Sequence, residues 1–252
     1  MTAPILYCGD TELAGAASYL AGLMTACGWS FDYVPSDRPL SEETLGTGRK
    51  LLIVSDYPAA QMPATVQSAL VEQVSAGAGL LMIGGWESFH GLGGDWDGTD
   101  VGNALPVRIG NVDDRVNFPQ SAFLSVAAAD HPAIAGLPWS STPPAIGGMN
   151  RVTAAPAGTV LLTARPLQMS AAGPHPWQAS FGPELPALVV GEHGRGRTAA
   201  FLSDVAPHWV GGFVDWGDRR VTAQAAGAPG VEVGGWYADF WRQLLSWTGR
   251  LA

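Results

Sequence analysis

The sequence predicts an α/β protein built on a mostly parallel sheet. Short apolar runs bounded by glycines recur through the first third of the chain, the pattern of strands buried on both faces. Between them lie stretches with apolar residues on a 3.6-residue period, and strands alternating with amphipathic helices form βαβ units. Right-handed crossovers then place helices on both faces of the sheet. No polar linker interrupts the 252 residues, so residues 1–252 read as a single domain.

Residues 5–8 make the first strand, and Gly9 and Asp10 turn the chain. A helix then carries Leu13, Ala16, Ala17, Leu20, Leu23, Met24 and Cys27 on one face, with Gly28 at its C-terminal cap. Residues 29–34 and 51–55 make the second and third strands. Pro63 opens the next helix, where its missing N–H loses no intrahelical bond, and Val66, Leu70 and Val74 share a face. The fourth strand, residues 79–83, runs into Gly84-Gly85 and then Trp86-Glu87-Ser88-Phe89-His90. From about 92 to 186, short β-like pieces at 107–109, 123–126 and 159–165 replace the helices. This reads as a β-rich elaboration beside the sheet, and its proline-bearing end at 171–186 is expected to be a mobile loop. Residues 188–202 form a β-hairpin with a glycine-rich tip. The last helix turns Tyr237, Phe240, Trp241, Leu244 and Leu245 inward.

Composition narrows the function classes. With 47% apolar and 14% charged residues the chain has a sizeable core to bury and is not disordered. A formal charge of −9 without any basic stripe argues against nucleic acid as a partner. No stretch approaches the roughly 18 apolar residues of a spanning helix, so no membrane role is expected. The N-terminus lacks a signal-peptide pattern, and Cys8 and Cys27 read as buried reduced thiols, so the cytoplasm is expected.

Ligands of open α/β sheets bind beyond the carboxyl ends of the strands. Asp10, Asp56, the segment Gly85-Trp86-Glu87-Ser88-Phe89-His90, and Asp204 with His208 and Trp209 all follow predicted strands. Each has a structural alternative. Asp10 can cap the first helix, Asp56 can serve the turn before Pro58, and Glu87 and Ser88 can serve a helix start. Asp204 and His208 make a carboxylate-oriented general base or a hydrogen bond that fixes the loop against Trp209. Ser88 and His90 imitate a hydrolase set, but Gly-x-Ser-x-Gly is absent. His90, His208, Asp204 and Glu87 are suitable metal ligands, yet no tight ligand spacing exists, so no metal and no other cofactor is expected. Asp113-Asp114-Arg115 reads as a turn with an ion pair, and Arg195 and Arg197 as solvated charge at the hairpin tip. Trp86, Trp96, Trp139, Trp177, Trp209 and Trp216 fall in predicted loops, which points to an apolar ligand pocket or to a homo-oligomer interface.

Four segments in order carry a resemblance: Gly84-Gly85-Trp86-Glu87-Ser88-Phe89-His90-Gly91; Leu105-Pro106-Val107 with Asp113-Asp114-Arg115-Val116; Asp130-His131-Pro132-Ala133-Ile134; and Gly191-Glu192-His193-Gly194-Arg195-Gly196-Arg197 continuing to Asp204-Val205-Ala206-Pro207-His208-Trp209. Over nearly the whole chain the sequence resembles the glutamine amidotransferase-like proteins, a bacterial cytoplasmic group related to class I glutamine amidotransferases. The resemblance implies a flavodoxin-like three-layer α/β/α fold, here with the elaboration and a C-terminal β-hairpin and helix. Class I enzymes carry a cysteine in a Gly-x-Cys-x-Gly elbow and a downstream His-x-Glu pair. Neither is present, so thiolate attack on glutamine is not expected. The leading expectation is a small-molecule enzyme of hydrolase or lyase type, with Glu87, His90, Asp204 and His208 as acid–base groups and Asp10, Asp56, Gly85, Trp86, Ser88 and Trp209 lining the ligand site. The alternatives are a non-catalytic sensor on the same fold and, by analogy of fold alone, an enzyme acting on sugars.

Overall fold

The structure, a computed structural model, describes residues 2–171, 173 and 177–252. In chain order its elements are β1 (Ile5–Gly9), α1 (Ala17–Ala26), β2 (Phe31–Val34), α2 (Glu42–Leu45), β3 (Leu51–Ser55), α3 (Ala64–Ser75), β4 (Gly79–Ile83), α4 (Asp100–Ala104), β5 (Val107–Arg108), β6 (Arg115–Val126) and β7 (Ala145–Asn150). Then follow β8 (Thr153–Ala154), β9 (Thr159–Ser170), β10 (Gln178–Phe181), β11 (Leu185–His193), β12 (Gly196–Phe201), α5 (Pro207–Val210), β13 (Arg220–Ala223), β14 (Val231–Gly234) and α6 (Gly235–Gly249). Strands β1, β3 and β4 are buried along their whole length, as their unbroken apolar sequences require.

One ten-stranded sheet runs in the order β2-β1-β3-β4-β12-β11-β9-β6-β7, with β10 pairing β9 off that path. Its first half is parallel: β1 pairs with β2 and β3, β3 with β4, and β4 with β12. From β12 onward every pairing is antiparallel. The chain leaves β1 toward β2 and returns to β3 on the other side, so right-handed crossovers put α1 and α3 on opposite faces. Helix α6 packs with α1 and crosses β3, β4 and β12, while α3 packs with α2 and α4. The result is the flavodoxin-like three-layer α/β/α arrangement.

Several expectations are corrected. Helix α1 starts at Ala17, because residues 11–16 form turns before it. Its N-cap is Ala16 with no side-chain hydrogen bond, so Asp10 does not cap it. The elaboration is not beside the sheet but continues it, through β6, β7, β9 and β10. Strand β7 gives little sequence signal because it contains Gly147 and Gly148. A Cβ at Gly148 would lie 2.3 Å from Trp209 Nε1, so the indole occupies the space a side chain would fill. Within the expected mobile loop, Pro174 and Pro176 lie outside the described residues, while residues 178–181 pair with β9.

The loop tryptophans mostly belong to the core. Trp96, Trp139, Trp209 and Trp216 are buried, whereas Trp86 and Trp177 are exposed. Trp139 lies 4.5 Å from Trp216 between ring centroids and 5.6 Å from Phe240. Phe240 also meets Phe201, Phe213 and Trp241 at 5.4, 5.3 and 5.2 Å. Trp139 and Trp216, expected as apolar pocket walls, are thus part of the filling between α6 and the sheet. Emptying this cluster with Phe240→Ala is expected to destabilise the fold by about 3–5 kcal/mol, read from the midpoint of urea unfolding.

Candidate functional site

Parallel pairing brings the carboxyl ends of β1, β3, β4 and β12 to one edge of the sheet. Strands β1 and β3 flank the point where the strand order reverses, the position at which such sheets place ligands. Asp10 and Asp56 there, and Phe89 in the turn after β4, hold φ values of 50°, 48° and 54°, a left-handed backbone that is an outlier for a bulky residue such as Phe89.

The turn after β4 is held from two sides. On one side the Asp56 carboxylate accepts the backbone N–H of Glu87, while the Asp56 N–H donates to Ser88 Oγ at 2.9 Å. A Cβ at Gly85 would sit 2.6 Å from Asp56 Oδ1, so only glycine lets the turn approach this closely. On the other side Asn150, at the end of β7, accepts the Gly85 N–H through Oδ1 at 2.9 Å. Its Nδ2 donates to Gly85 O at 3.1 Å and to Asp114 Oδ1 at 2.7 Å. Asp114 in turn accepts the N–H groups of His90 and Gly91 at 3.0 and 3.1 Å. No helix follows the turn until α4, so Glu87 and Ser88 have no helix start to cap.

Three carboxyl groups share the edge. Asp10 is buried, accepts the Tyr7 hydroxyl at 3.1 Å through Oδ2, and receives Tyr33 Oη on its main-chain oxygen at 3.0 Å. Burial, and then the charge of Asp56, push the Asp10 carboxyl up to about 7, against the pull of the Tyr7 hydrogen bond. Burial also raises Asp56, partly offset by the Glu87 N–H and by His208. Asp204 is fully enclosed. Its burial, then the charges of Asp10 and Asp56, hold its carboxyl well above the ordinary range. Asp204 Oδ1 accepts the N–H groups of Val205 and Ala206. Oδ2 lies 3.2 Å from His208 Nε2, without the alignment of a hydrogen bond, and the imidazole itself is half exposed. Glu87 belongs to the same field, raised by burial and then by Asp56.

The structure therefore gathers Asp10, Asp56, Glu87, Asp204 and His208 but not His90. His90 Nδ1 is 2.7 Å from Asp97 Oδ1, and the charges acting on it are those of Asp97, Asp95 and Asp114. Hydrogen bonding to Asp97 raises the imidazole above its ordinary value. Among the described residues, His90, Asp95 and Asp97 are also the group of His, Cys, Asp and Glu whose ligand atoms lie within 4.8 Å of one another. The set His90, His208, Asp204 and Glu87 weighed from sequence is not brought together. Trp209 is turned away from the edge, buried against Gly148 with its Nε1 on Asn117 Oδ1 at 2.7 Å. Trp86 stays exposed, with the Arg115 guanidinium 4.4 Å from its ring centre.

Sequence reasoning missed Tyr7, Asn150 and Asp114. Tyr7 carried a faint signal as the one polar-tipped residue in an apolar strand. Asn150 and Asp114 reach the turn across 65 and 24 residues or fewer, contacts that no local pattern records. The Asp113–Arg115 ion pair at 2.8 Å is as expected, and its neighbour Asp114 does the structural work.

Residues 40–222 match the sequence model of the family described as "Putative glutamine amidotransferase". The chain belongs to this GATase1-like family. No curated protein matches it. Among solved structures it is similar to two cytoplasmic proteins of Salmonella typhimurium, 23% and 24% identical, each with TM-score 0.72 over 97% of this chain and 98% of theirs. A ThuA-like protein of Parabacteroides merdae is 12% identical, with TM-score 0.60 over 99% of this chain and 90% of its own. These likenesses carry the fold. For the GATase1-like chain in hand, the turn after β4 has no thiol, and burial pushes the Cys8 thiol on β1 up to about 12, which removes it as a nucleophile at neutral pH.

Two outcomes follow from this geometry. Asn150→Ala leaves the Gly85 backbone N–H and C=O without their partner and takes one of three hydrogen bonds from Asp114, and is expected to cost about 3 kcal/mol in urea unfolding. Asp10 binds its proton more tightly in the fold than its ordinary value of 3.8. Its contribution to stability is therefore fully present below about pH 4 and is lost as pH rises through about 7. Asp10→Asn, which keeps an acceptor for Tyr7, is expected to stabilise the protein at pH 8 by about 2–4 kcal/mol and to change little at pH 4, as followed by thermal unfolding.

Proposed function

We propose that this GATase1-like protein is a small-molecule enzyme of hydrolase or lyase type, working by acid–base chemistry at the carboxyl edge of the parallel strands. The observation that carries the reading is the convergence of Asp10, Asp56 and Asp204 from three strand ends, with His208 beside Asp204. Enzymes hold carboxyl groups in such crowded, desolvated positions to bring their proton exchange near neutral pH, and a fold stabilised elsewhere can bear the cost.

The roles follow from exposure and charge. Asp10, titrating near 7, supplies both protonated and ionised forms at neutral pH and can give or take a proton. Asp204 lies behind His208, its Oδ2 3.2 Å from Nε2 of an imidazole that is open to solvent and would be open to a substrate. Asp56 sets the position of the Glu87 backbone, and the half-buried Glu87 carboxyl lies within the field of Asp56. The cytoplasm is the proposed compartment, in keeping with two free cysteines and with the description of the Salmonella proteins. No helix among the described residues is long and apolar enough to cross a membrane.

The test is a turnover screen of purified protein against a metabolite library. Asp204→Asn and His208→Ala are each expected to lower any turnover found by 100-fold or more, on the order of a lost general base. Turnover that survives both would sink the assignment. A second reading, a non-catalytic sensor, is favoured by one feature: the family elbow has lost both its thiol and the helix start that would activate one. Compounds that raise the melting temperature without being consumed would support the sensor.

A further inference from the structure

The carboxyl edge makes no use of the segment Asp130–Ile134 or of the arginine that follows the hairpin tip. These meet near the opposite end of the sheet, where β12 begins beside β4. Arg197 places its guanidinium over the Trp247 ring of α6, 5.0 Å from the ring centre, and its Nη1 donates to Trp247 O at 2.7 Å. The His131 ring stands edge-on to the same indole, 4.7 Å away between centres. Arg197, expected as solvated charge, is thus half-buried and held at two points.

Here lies a cavity of about 420 Å³, lined by Pro132, Arg197, Arg242, Gln243, Ser246 and Trp247. Its walls hold two guanidinium groups and no acid, in a chain whose formal charge is −9. Among the described residues Arg197 forms no salt bridge. The acid that acts on it is its cross-strand neighbour Glu192, while burial and then the charge of Arg250 weaken its hold on its proton. Arg242 meets Asp239 at 3.5 Å, but Asp239 is shared with Arg219 at 2.9 Å, and exposed pairs of this kind contribute little. A second observation is independent of charge. Gln243 Oε1 is buried without a hydrogen-bond partner. Buried polar atoms are nearly always paired, and in either orientation of the amide this group lacks a polar partner that a bound molecule can supply.

We infer that this cavity binds a small hydroxylated oxyanion, a phosphate or carboxylate group on a polyol body, with the anion taken by Arg197 and Arg242 and the hydroxyl groups by Gln243 and Ser246. A guanidinium presents its N–H groups as a planar fork that matches phosphate and carboxylate oxygens. Arg197 is already fixed by the Trp247 carbonyl and ring, so it loses little freedom when an anion arrives. The indole adds an apolar face for the C–H groups of the body. A cation is repelled by both arginines, a neutral polyol leaves their charge unanswered, and inorganic phosphate alone lacks a body to reach the amide. The volume falls within the roughly 300–1,000 Å³ of small-molecule sites. No group of the carboxyl edge takes part, so the two sites stand or fall separately.

The experiment is isothermal titration of the full chain at near-physiological salt with glucose 6-phosphate, gluconate, glucose and inorganic phosphate. The expected result is saturable binding of glucose 6-phosphate, gluconate or both, at least tenfold tighter than that of glucose or of inorganic phosphate; which of the two binds tells phosphate from carboxylate. Binding is expected to fall about tenfold in Arg197→Gln and in Arg242→Gln and severalfold in Gln243→Ala, with near-UV circular dichroism unchanged, and to persist in the remote Arg220→Gln. Arg242 is exposed, so Arg242→Gln carries the test should Arg197→Gln fail to fold. No saturable binding of either organic anion, glucose bound as tightly, or affinity unchanged in the double Arg197→Gln/Arg242→Gln protein overturns the inference. Inorganic phosphate bound as tightly as glucose 6-phosphate removes the polyol body and overturns it as well.

Discussion

Asn150 and Asp114, joined to each other by a hydrogen bond from Nδ2 to Oδ1, tie the antiparallel half of this molecule to the parallel half. Asn150 ends a strand of the antiparallel half, and Asp114 precedes another; together they hold the backbone of Gly85, His90 and Gly91 at the end of a central parallel strand. Both are buried, so each donor or acceptor in the set must find a protein partner. In a strand-turn-helix elbow, the first turn of the helix would order that backbone. Here no helix follows, and two side chains from distant strands take over the task. The elaboration is therefore part of the framework that holds the turn after β4.

With the turn held, the strand ends can crowd carboxyl groups. Asp10, Asp56 and Asp204 are each shielded from water, and the charges of neighbouring acids add to the proton affinity of Asp10 and Asp204. Such an arrangement opposes folding at neutral pH. It is tolerated because the core beneath is dense: β1, β3 and β4 are buried throughout, and an aromatic cluster of Phe201, Phe213, Phe240 and Trp241 lies under the last helix. The left-handed backbones at Asp10 and Asp56 tell the same story, since unfavourable conformations persist where surrounding packing determines them.

Loss of the elbow cysteine need not empty the fold of chemistry. Membership in the GATase1-like family places the chain among proteins built on this sheet. At the carboxyl edge lie the side chains of Asp10, Asp56 and Asp204, with His208 beside Asp204. The thiol that survives on the parallel strands, Cys8, is sealed inside β1.

Much of this was legible from sequence, for a physical reason. The apolar runs at 51–55 and 79–83 and the helical face of Val66, Leu70 and Val74 are local patterns. Burial of such side chains is the main force that drives folding, so the elements sit where the pattern says. The same patterns put Asp10, Asp56, Glu87, Asp204 and His208 beyond strand ends. Other features depended on partners far along the chain. His90 looks like a site residue until its loop folds back to present Asp97, and Trp209 looks like a pocket wall until Gly148 receives its ring. Strand β7, with paired glycines, shows no alternation to read. The sequence by itself determined the parallel half, its core and the absence of an elbow thiol, because those are properties of residues and their neighbours. The tertiary structure alone decided which acids meet, which oxygen stays unpaired and what clamps the turn, because those depend on distances between strands that the chain visits far apart.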